Sequence, residues 1–328
     1  MTDPIRWGVL GASDFAQSDM APALHMARGS RHVALATRSA DKAAPFVDRV
    51  PDLRVETDYD ALLAADDIDA IYVPLPNHLH VEWAVKALQA GKHVLCEKPI
   101  ALHSDDFDAL IAARDTAGKL AAEAYMIVHH PQWQRAKALL AQDAIGRLVH
   151  VEAVFTYNNP DPENVRNQPN MGGGGLRDIG VYTFGSVRFA TGQEPDTLTS
   201  SLRMEHDFDT FAEVNASFPD FTYHAIVSTR MAPRQRMVFH GEDGTLELTA
   251  PFNANVFDQA ELLLETRHTR PASTQGMTRT VERWPGVNQY VLQVEAFCES
   301  ARTGAHYPWT LEQARGTQAM IDRAIAGG

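Results

Sequence analysis

The strongest constraint on this chain's fold lies in its first 126 residues, where short apolar runs alternate with amphipathic stretches. IRWGVL, HVALAT, AIYVPL, HVLCEK and LAAEAYM are apolar at consecutive positions, the pattern of strands covered on both faces. Helices alternating with such strands require parallel pairing through right-handed crossovers. In HVEWAVKALQAG, Val81, Ala84, Val85 and Leu88 fall on one helical face and Gly91 ends the helix. A doubly wound parallel sheet is therefore expected for residues 1–126.

From Pro131 the pattern changes. PQWQRAKALLAQDA reads as a helix with proline in its first turn, LVHVEAVFTYN as a strand, and Asn158 to Gly175 as a loop rich in Asn and Pro. A helix over LRDIGVYTFGSVRFAT comes next, and then period-two segments such as TFAEVNASF, FTYHAIVSTRM and GTLELTA predict a mainly antiparallel sheet with one covered face. Two helices, near 288–303 and 310–326, close the chain. The expected division is 1–126 and 127–328, with the ligand between the two domains.

Composition excludes several classes. A net charge of −13 with no clustered Lys/Arg stretch argues against a nucleic-acid partner. Cys96 and Cys298 are the only cysteines, too few for a disulfide framework, which points to a reducing compartment. No run approaches the ~20 apolar residues of a membrane span, and the N-terminus enters a strand without a basic then apolar leader. The expected location is the cytoplasm.

Three stretches carry chemistry. GVLGASDFA places a strand, Gly11 and a helix start in succession, so backbone from Gly11 through Ala12, Ser13, Asp14 and Phe15 is positioned to bind a pyrophosphate, although only the first glycine of G-x-G-x-x-G is kept. A plain strand–turn–helix needing glycine accounts for it equally well. The next strand ends in Thr37, Arg38 and Ser39, without the acid that holds the ribose of NAD, so a guanidinium and two hydroxyls favour the 2'-phosphate of NADP, with NAD still possible. Ser39 also reads as a helix cap.

HVLCEKPI ends a buried strand in Glu97, Lys98 and Pro99. Such a pair is either a strand end meeting water or a charge kept for chemistry. In GGGGLRDIGVYTF, Asp178 and Tyr182 are four apart on the expected helix and share a face, and the glycines permit close backbone approach to a ligand. Helix packing and capping would also explain them. His78 and His80 lack partners at ligand spacing, so no metal is expected.

GVLGASDFA, ATRSADKA, PLPNHLHVEWAVKALQAGKHVLCEKPIA and GGGGLRDIGVY, in this order, resemble the Gfo/Idh/MocA family of nicotinamide-dependent oxidoreductases over nearly the whole chain. The resemblance implies an α/β fold, a Rossmann domain followed by a C-terminal α/β domain whose large open sheet serves substrate binding and oligomer contacts. It implies that Lys98 is catalytic beside the nicotinamide, that Glu97 fixes the cofactor ribose or keeps Lys98 charged, and that Pro99 can follow a cis bond. Leu75, Pro76, Asn77 and His80 are implied to line the cofactor. Tyr182 becomes the proton-exchanging group and Asp178 its orienting partner. The tyrosine version is nearest the aldose and dihydrodiol dehydrogenase branch, in which NVRNQP offers Arg166 as a substrate contact.

The expected activity is hydride transfer between NADP(H) and a hydroxyl or carbonyl carbon of a monosaccharide or polyol, with C1 of an aldose giving a lactone. Val128 stands where many relatives have arginine, which leaves the sugar open. A cofactor-assisted glycoside hydrolase and a non-catalytic dinucleotide sensor are the alternatives; release of reduced cofactor separates them from a dehydrogenase.

Overall fold

The computed structural model describes residues 3–267 and 276–327. It forms two compact units, Met1–Met126 with Gln289–Arg315, and Ile127–Asn288 with Gly316–Gly328.

The first unit holds six strands, β1 (Ile5–Leu10), β2 (Ser30–Ala36), β3 (Arg54–Glu56), β4 (Ala70–Val73), β5 (His93–Cys96) and β6 (Ala121–Glu123). They pair in the order β3-β2-β1-β4-β5-β6, every pair parallel. Leu10, Ala36, Tyr72, Val73, Leu95 and Cys96 are fully buried, as helices on both faces require. The crossover helices are α1 (Ala21–Met26), α2 (Ala40–Arg49), α3 (Tyr59–Ala64), α4 (His80–Gln89) and α5 (Phe107–Ala117). The strands stop earlier than their apolar runs: β5 ends at Cys96, leaving Glu97 and Lys98 in the loop beyond. The helix Gln289–Thr303 belongs to this unit, with Phe297 packed 5.0 Å from Trp7 between ring centroids. Chain order alone places that segment with residues 127–328, whereas its packing groups it with the parallel sheet.

The second unit holds α6 (Pro131–Ala141), β7 (Leu148–Asn158), α7 (Val181–Thr191), and then β8 (Thr197–Glu205), β9 (Phe208–Ser217), β10 (Thr222–Ser228), β11 (Arg230–Gly241), β12 (Gly244–Leu248), β13 (Glu261–Arg267) and β14 (Met277–Arg283). Its eight-stranded sheet runs β14-β13-β12-β11-β7-β10-β9-β8 and is antiparallel except where β7 meets β10. Ala212, Val214 and Ala216 of β9 point inward while Glu213 and Asn215 are exposed, the alternation of a sheet covered on one face. Among the described residues no helix is long and apolar enough to cross a membrane.

Candidate active site

The turn after β1 is shaped by Gly11. Gly11 has φ +99°, which calls for glycine, and a Cβ there would sit 2.9 Å from Leu75 Cδ2 and displace that side chain. Its N–H donates to the Ala36 carbonyl at 2.8 Å. Ser13 closes the turn: its side-chain oxygen accepts from the Ala16 N–H at 3.1 Å and its carbonyl from Gln17 at 3.0 Å. The chain then enters a π-helical turn, Ala16–Met20, before α1. Among the described residues the amides of Ala12, Ser13, Asp14 and Phe15 have no protein acceptor. Unpaired N–H groups at a helix start are able to bind an anion.

At the end of β2, the Thr37 N–H donates to the Glu56 carbonyl at 2.9 Å, and the Ser39 side chain caps α2 by accepting from the Lys42 N–H at 3.3 Å. Arg38 is exposed. Tyr59 lies beside it: burial pushes the phenol pKa up and the Arg38 charge opposes that shift. The Tyr59 ring stands edge-on to Trp83 at 4.9 Å, and its hydroxyl is 3.4 Å from where a Gly11 Cβ would be. Neither aromatic residue stood out in the sequence, because both sit on amphipathic helices as ordinary half-buried residues.

The ends of β4 and β5 carry the Glu-Lys-Pro stretch. The Glu97 N–H donates to the Val73 carbonyl at 3.0 Å, and the Tyr72 hydroxyl donates to Glu97 Oε1 at 2.6 Å. The Lys98 amide approaches the other carboxylate oxygen at 3.4 Å. Burial pushes the Glu97 pKa up to about 7, against the Tyr72 hydrogen bond and the Lys98 charge, while the neighbouring Glu123 adds to the rise. Such a carboxyl titrates near neutrality. The Lys98–Pro99 peptide is cis. Beyond it the Ile100 N–H donates to Glu123 Oε1 at 3.1 Å, and Glu123 Oε2 accepts from the Trp309 indole at 3.0 Å. Leu75, Pro76 and Asn77 form the loop after β4, partly exposed, whereas His80 at the start of α4 is fully buried. Its Nδ1 is 2.8 Å from the Pro99 carbonyl and its Nε2 2.6 Å from that of Leu75.

In the second unit Asp178 is the centre of a cluster. Its Oδ2 accepts from the Tyr157 hydroxyl at 2.7 Å, and its Oδ1 is 3.1 Å from Arg166 Nε. The Asp178 charge holds Arg166 firmly protonated, and burial followed by Asp178 pushes the Tyr157 pKa well up. Tyr157 was not foreseen; it occupies an ordinary position in an alternating strand. Asp178 lies in a π-helical turn, Leu176–Gly180, that precedes α7, not in the regular α-helix expected there. π turns of this kind frequently mark functional positions. Tyr182 is 6% exposed, with its ring 5.6 Å from Phe155 and 5.8 Å from Phe252, and its charge couples to that of Arg166.

The glycine run before Asp178 differs from its expected use. A Cβ on Gly173 would lie 2.6 Å from the Arg166 carbonyl, and one on Gly174 2.5 Å from Asp209 Oδ1. Close approach is thus made to the protein's own loop and to the buried Asp209, whose Oδ2 accepts from the Leu176 N–H at 2.7 Å. Val128 is fully buried, and its carbonyl accepts from the Gln134 side chain. His130 caps α6 through Nδ1, which accepts from the Gln132 N–H at 3.1 Å.

Comparison with known proteins bears on this arrangement. Residues 5–125 match the model described as an oxidoreductase family with an NAD-binding Rossmann fold, and residues 133–247 match the GFO/IDH/MocA C-terminal domain. The chain is 32% identical over 335 residues to a dTDP-3,4-didehydro-2,6-dideoxy-alpha-D-glucose 3-reductase of Actinomadura kijaniata, covering 99% of this chain and 96% of that protein. It is 31% identical to a D-xylose 1-dehydrogenase (NADP(+)) of Haloferax volcanii, covering 91% and 89% of the two chains. The crystal structure of KijD10, a 3-ketoreductase from Actinomadura kijaniata in complex with NADP and TDP-benzene, superimposes with a TM-score of 0.87 at 30% identity, covering 99% of this chain and 98% of that one.

Proposed function

This chain belongs to the GFO/IDH/MocA family of oxidoreductases, and from that premise we propose that it is an NADP(H)-preferring sugar dehydrogenase acting at C1 of a cyclic aldose. The observation that carries the reading is the set of open amides at Ala12–Phe15. They lie at the carboxyl end of β1, where the strand order reverses between β1 and β4, the position at which open α/β sheets bind dinucleotides. Lys98 stands at the end of β5, beside β4 in the same sheet.

The residues present fit NADP(H): the four amides suit its pyrophosphate, Arg38 with Thr37 and Ser39 its 2'-phosphate, and Leu75, Pro76, Asn77 and Glu97 the nicotinamide side. When bound, the oxidised cofactor supplies the hydride acceptor. The Lys98 ammonium stabilises negative charge that builds on the substrate oxygen as its carbon loses hydride. Tyr182 takes the hydroxyl proton as the general base. Asp178 keeps Tyr157 and Arg166 in place, and Arg166 is the proposed contact to sugar hydroxyls. The C1–H and O–H bonds break, a C1=O bond forms, and the product is a lactone.

The relatives supply a second reading, reduction of a keto group at C3 of a nucleotide-linked deoxysugar, since the 3-reductase matches over nearly the full length of both chains. Deuterium at C1 of D-xylose or D-glucose, incubated with NADP+ and the enzyme, is expected on the reduced cofactor. Label that transfers only from C3, or turnover confined to a 3-keto sugar nucleotide, would replace the first reading by the second. Glycoside cleavage without net cofactor reduction would favour the hydrolase.

A further inference from the structure

Lys98 and its proline are held from behind by a residue with no exposed surface. The His80 ring is completely buried, and both of its nitrogens face backbone carbonyl oxygens: Nδ1 that of Pro99 at 2.8 Å, Nε2 that of Leu75 at 2.6 Å. Leu75 belongs to the loop after β4 that meets Gly11, and Pro99 adjoins Lys98. One side chain therefore bridges the cofactor loop and the lysine turn.

We propose that His80 is a positioning residue of the reaction, which fixes the Pro99 peptide, and with it Lys98, relative to the Leu75 peptide. The inference rests on the reading of Lys98 as catalytic. A packing role would leave the ring nitrogens indifferent to what they face, yet both are directed at backbone carbonyl oxygens. A neutral imidazole owns one N–H, so at neutral pH the ring donates to one of these carbonyls and packs its other nitrogen against the second. Burial, and then the charges of Lys98 and His78, push the pKa down to about 4, while the two carbonyls raise it. The bond to Pro99 is the one that concerns catalysis, and misplacement of a catalytic group by about 1 Å can cost ~100-fold in rate.

Three substitutions separate the bonds from the packing. His80→Leu keeps most of the volume and donates to neither carbonyl. His80→Asn places an amide N–H near the Nδ1 position, toward Pro99, and His80→Gln places one near Nε2, toward Leu75. Turnover with D-xylose and NADP+ and the dissociation constant of NADPH, followed by its fluorescence, are measured for each. In His80→Leu, kcat is expected to fall ~30- to 100-fold and the NADPH dissociation constant to rise ~10-fold. His80→Asn should restore kcat to within ~5-fold, and His80→Gln should restore NADPH binding more than kcat.

A double variant with Lys98→Met decides whether the effect passes through the lysine: its kcat should equal that of Lys98→Met alone, since coupled residues are not additive. Additive losses, or equal failure of the Leu, Asn and Gln variants, would mean that His80 only fills space. Near-normal turnover of Lys98→Met removes the catalytic reading of the lysine and this inference with it. If D-xylose is not oxidised by the unaltered enzyme, the substrate assignment has failed, and NADPH binding decides: a dissociation constant in His80→Leu within ~2-fold of the original overturns the bridge, and a rise reversed by Gln supports it.

Discussion

Two helices in this molecule are entered through glycine and a π-helical turn, and they use their first amides in opposite ways. After Gly11, the amides of Ala12–Phe15 have no protein acceptor among the described residues. After the glycines at 172–175, the Gly173 N–H donates to the Gln168 carbonyl at 3.0 Å, that of Gly174 to Arg166 at 2.9 Å, and that of Leu176 to Asp209 at 2.7 Å. The first start has no such acceptor among the described residues. The second has its acceptor within the fold, the buried Asp209 carboxylate. Glycine count therefore says little about ligand binding. What matters is whether the fold supplies its own acceptor.

The contrast is most open to attack at Asp209. Asp209→Ala leaves the Leu176 and Gly175 amides buried without an acceptor, so a loss of ~3 to 4 kcal/mol in stability is expected, with NADPH affinity unchanged. Urea denaturation of an unaffected variant would refute the internal anion. Arg38→Ala addresses the other start: NADP+ binding should weaken by ~1.5 to 3 kcal/mol with little change for NAD+, as loss of a charge-assisted contact requires. Equal weakening of both cofactors in titration would take the 2'-phosphate away from Arg38. Gly11→Ala should cost about 2 kcal/mol of NADPH affinity, because the left-handed backbone is strained with a Cβ and Leu75 must give way. If calorimetry shows full affinity, the turn tolerates more than its geometry allows.

The smallest effect concerns Glu97, in the unit with the open amides. Its folded pKa of about 7 lies above the ordinary carboxyl value, so its contribution to stability is complete below the unfolded pKa and is lost as pH rises through 7. Since the residue is mostly buried but keeps some contact with solvent, the penalty above pH 7 is discounted to ~1 kcal/mol. Glu97→Gln in the cofactor-free protein should raise the melting temperature at pH 8 and leave it unchanged at pH 4.5. A gain of the same size at both values would contradict the raised pKa.

Much of this architecture is legible from periodicity. Consecutive apolar residues mark β1, β2, β4 and β5, and alternation marks β9 and β10, because burial on two faces or one leaves different spacings. β3, with only three residues and Val55 exposed, carries too short a pattern to register. Glu97 and Lys98 stand out as charges directly after a buried strand. Their supports do not: Tyr72, Glu123 and Trp309 are spaced through the chain as single polar atoms on otherwise apolar residues or at strand ends, and only folding brings them together. Asp209 was hidden for a different reason. A bulge opposite Arg203 and Met204 shifts the register at the start of β9, so that an acid in a strand expected to alternate is buried.

The hydrogen bond from Trp309 to Glu123 has a consequence for biosynthesis. Its partners are 186 residues apart, and Glu123 also holds the amide that follows Pro99. At ~5 to 20 residues per second, the ribosome needs roughly 10 to 40 s after Glu123 to deliver the indole. Throughout that interval the nascent parallel sheet lacks one of the donors that fix its lysine turn. The first 126 residues are thus not the complete physical unit of the parallel sheet, and completion of that unit waits until residue 309 has been made.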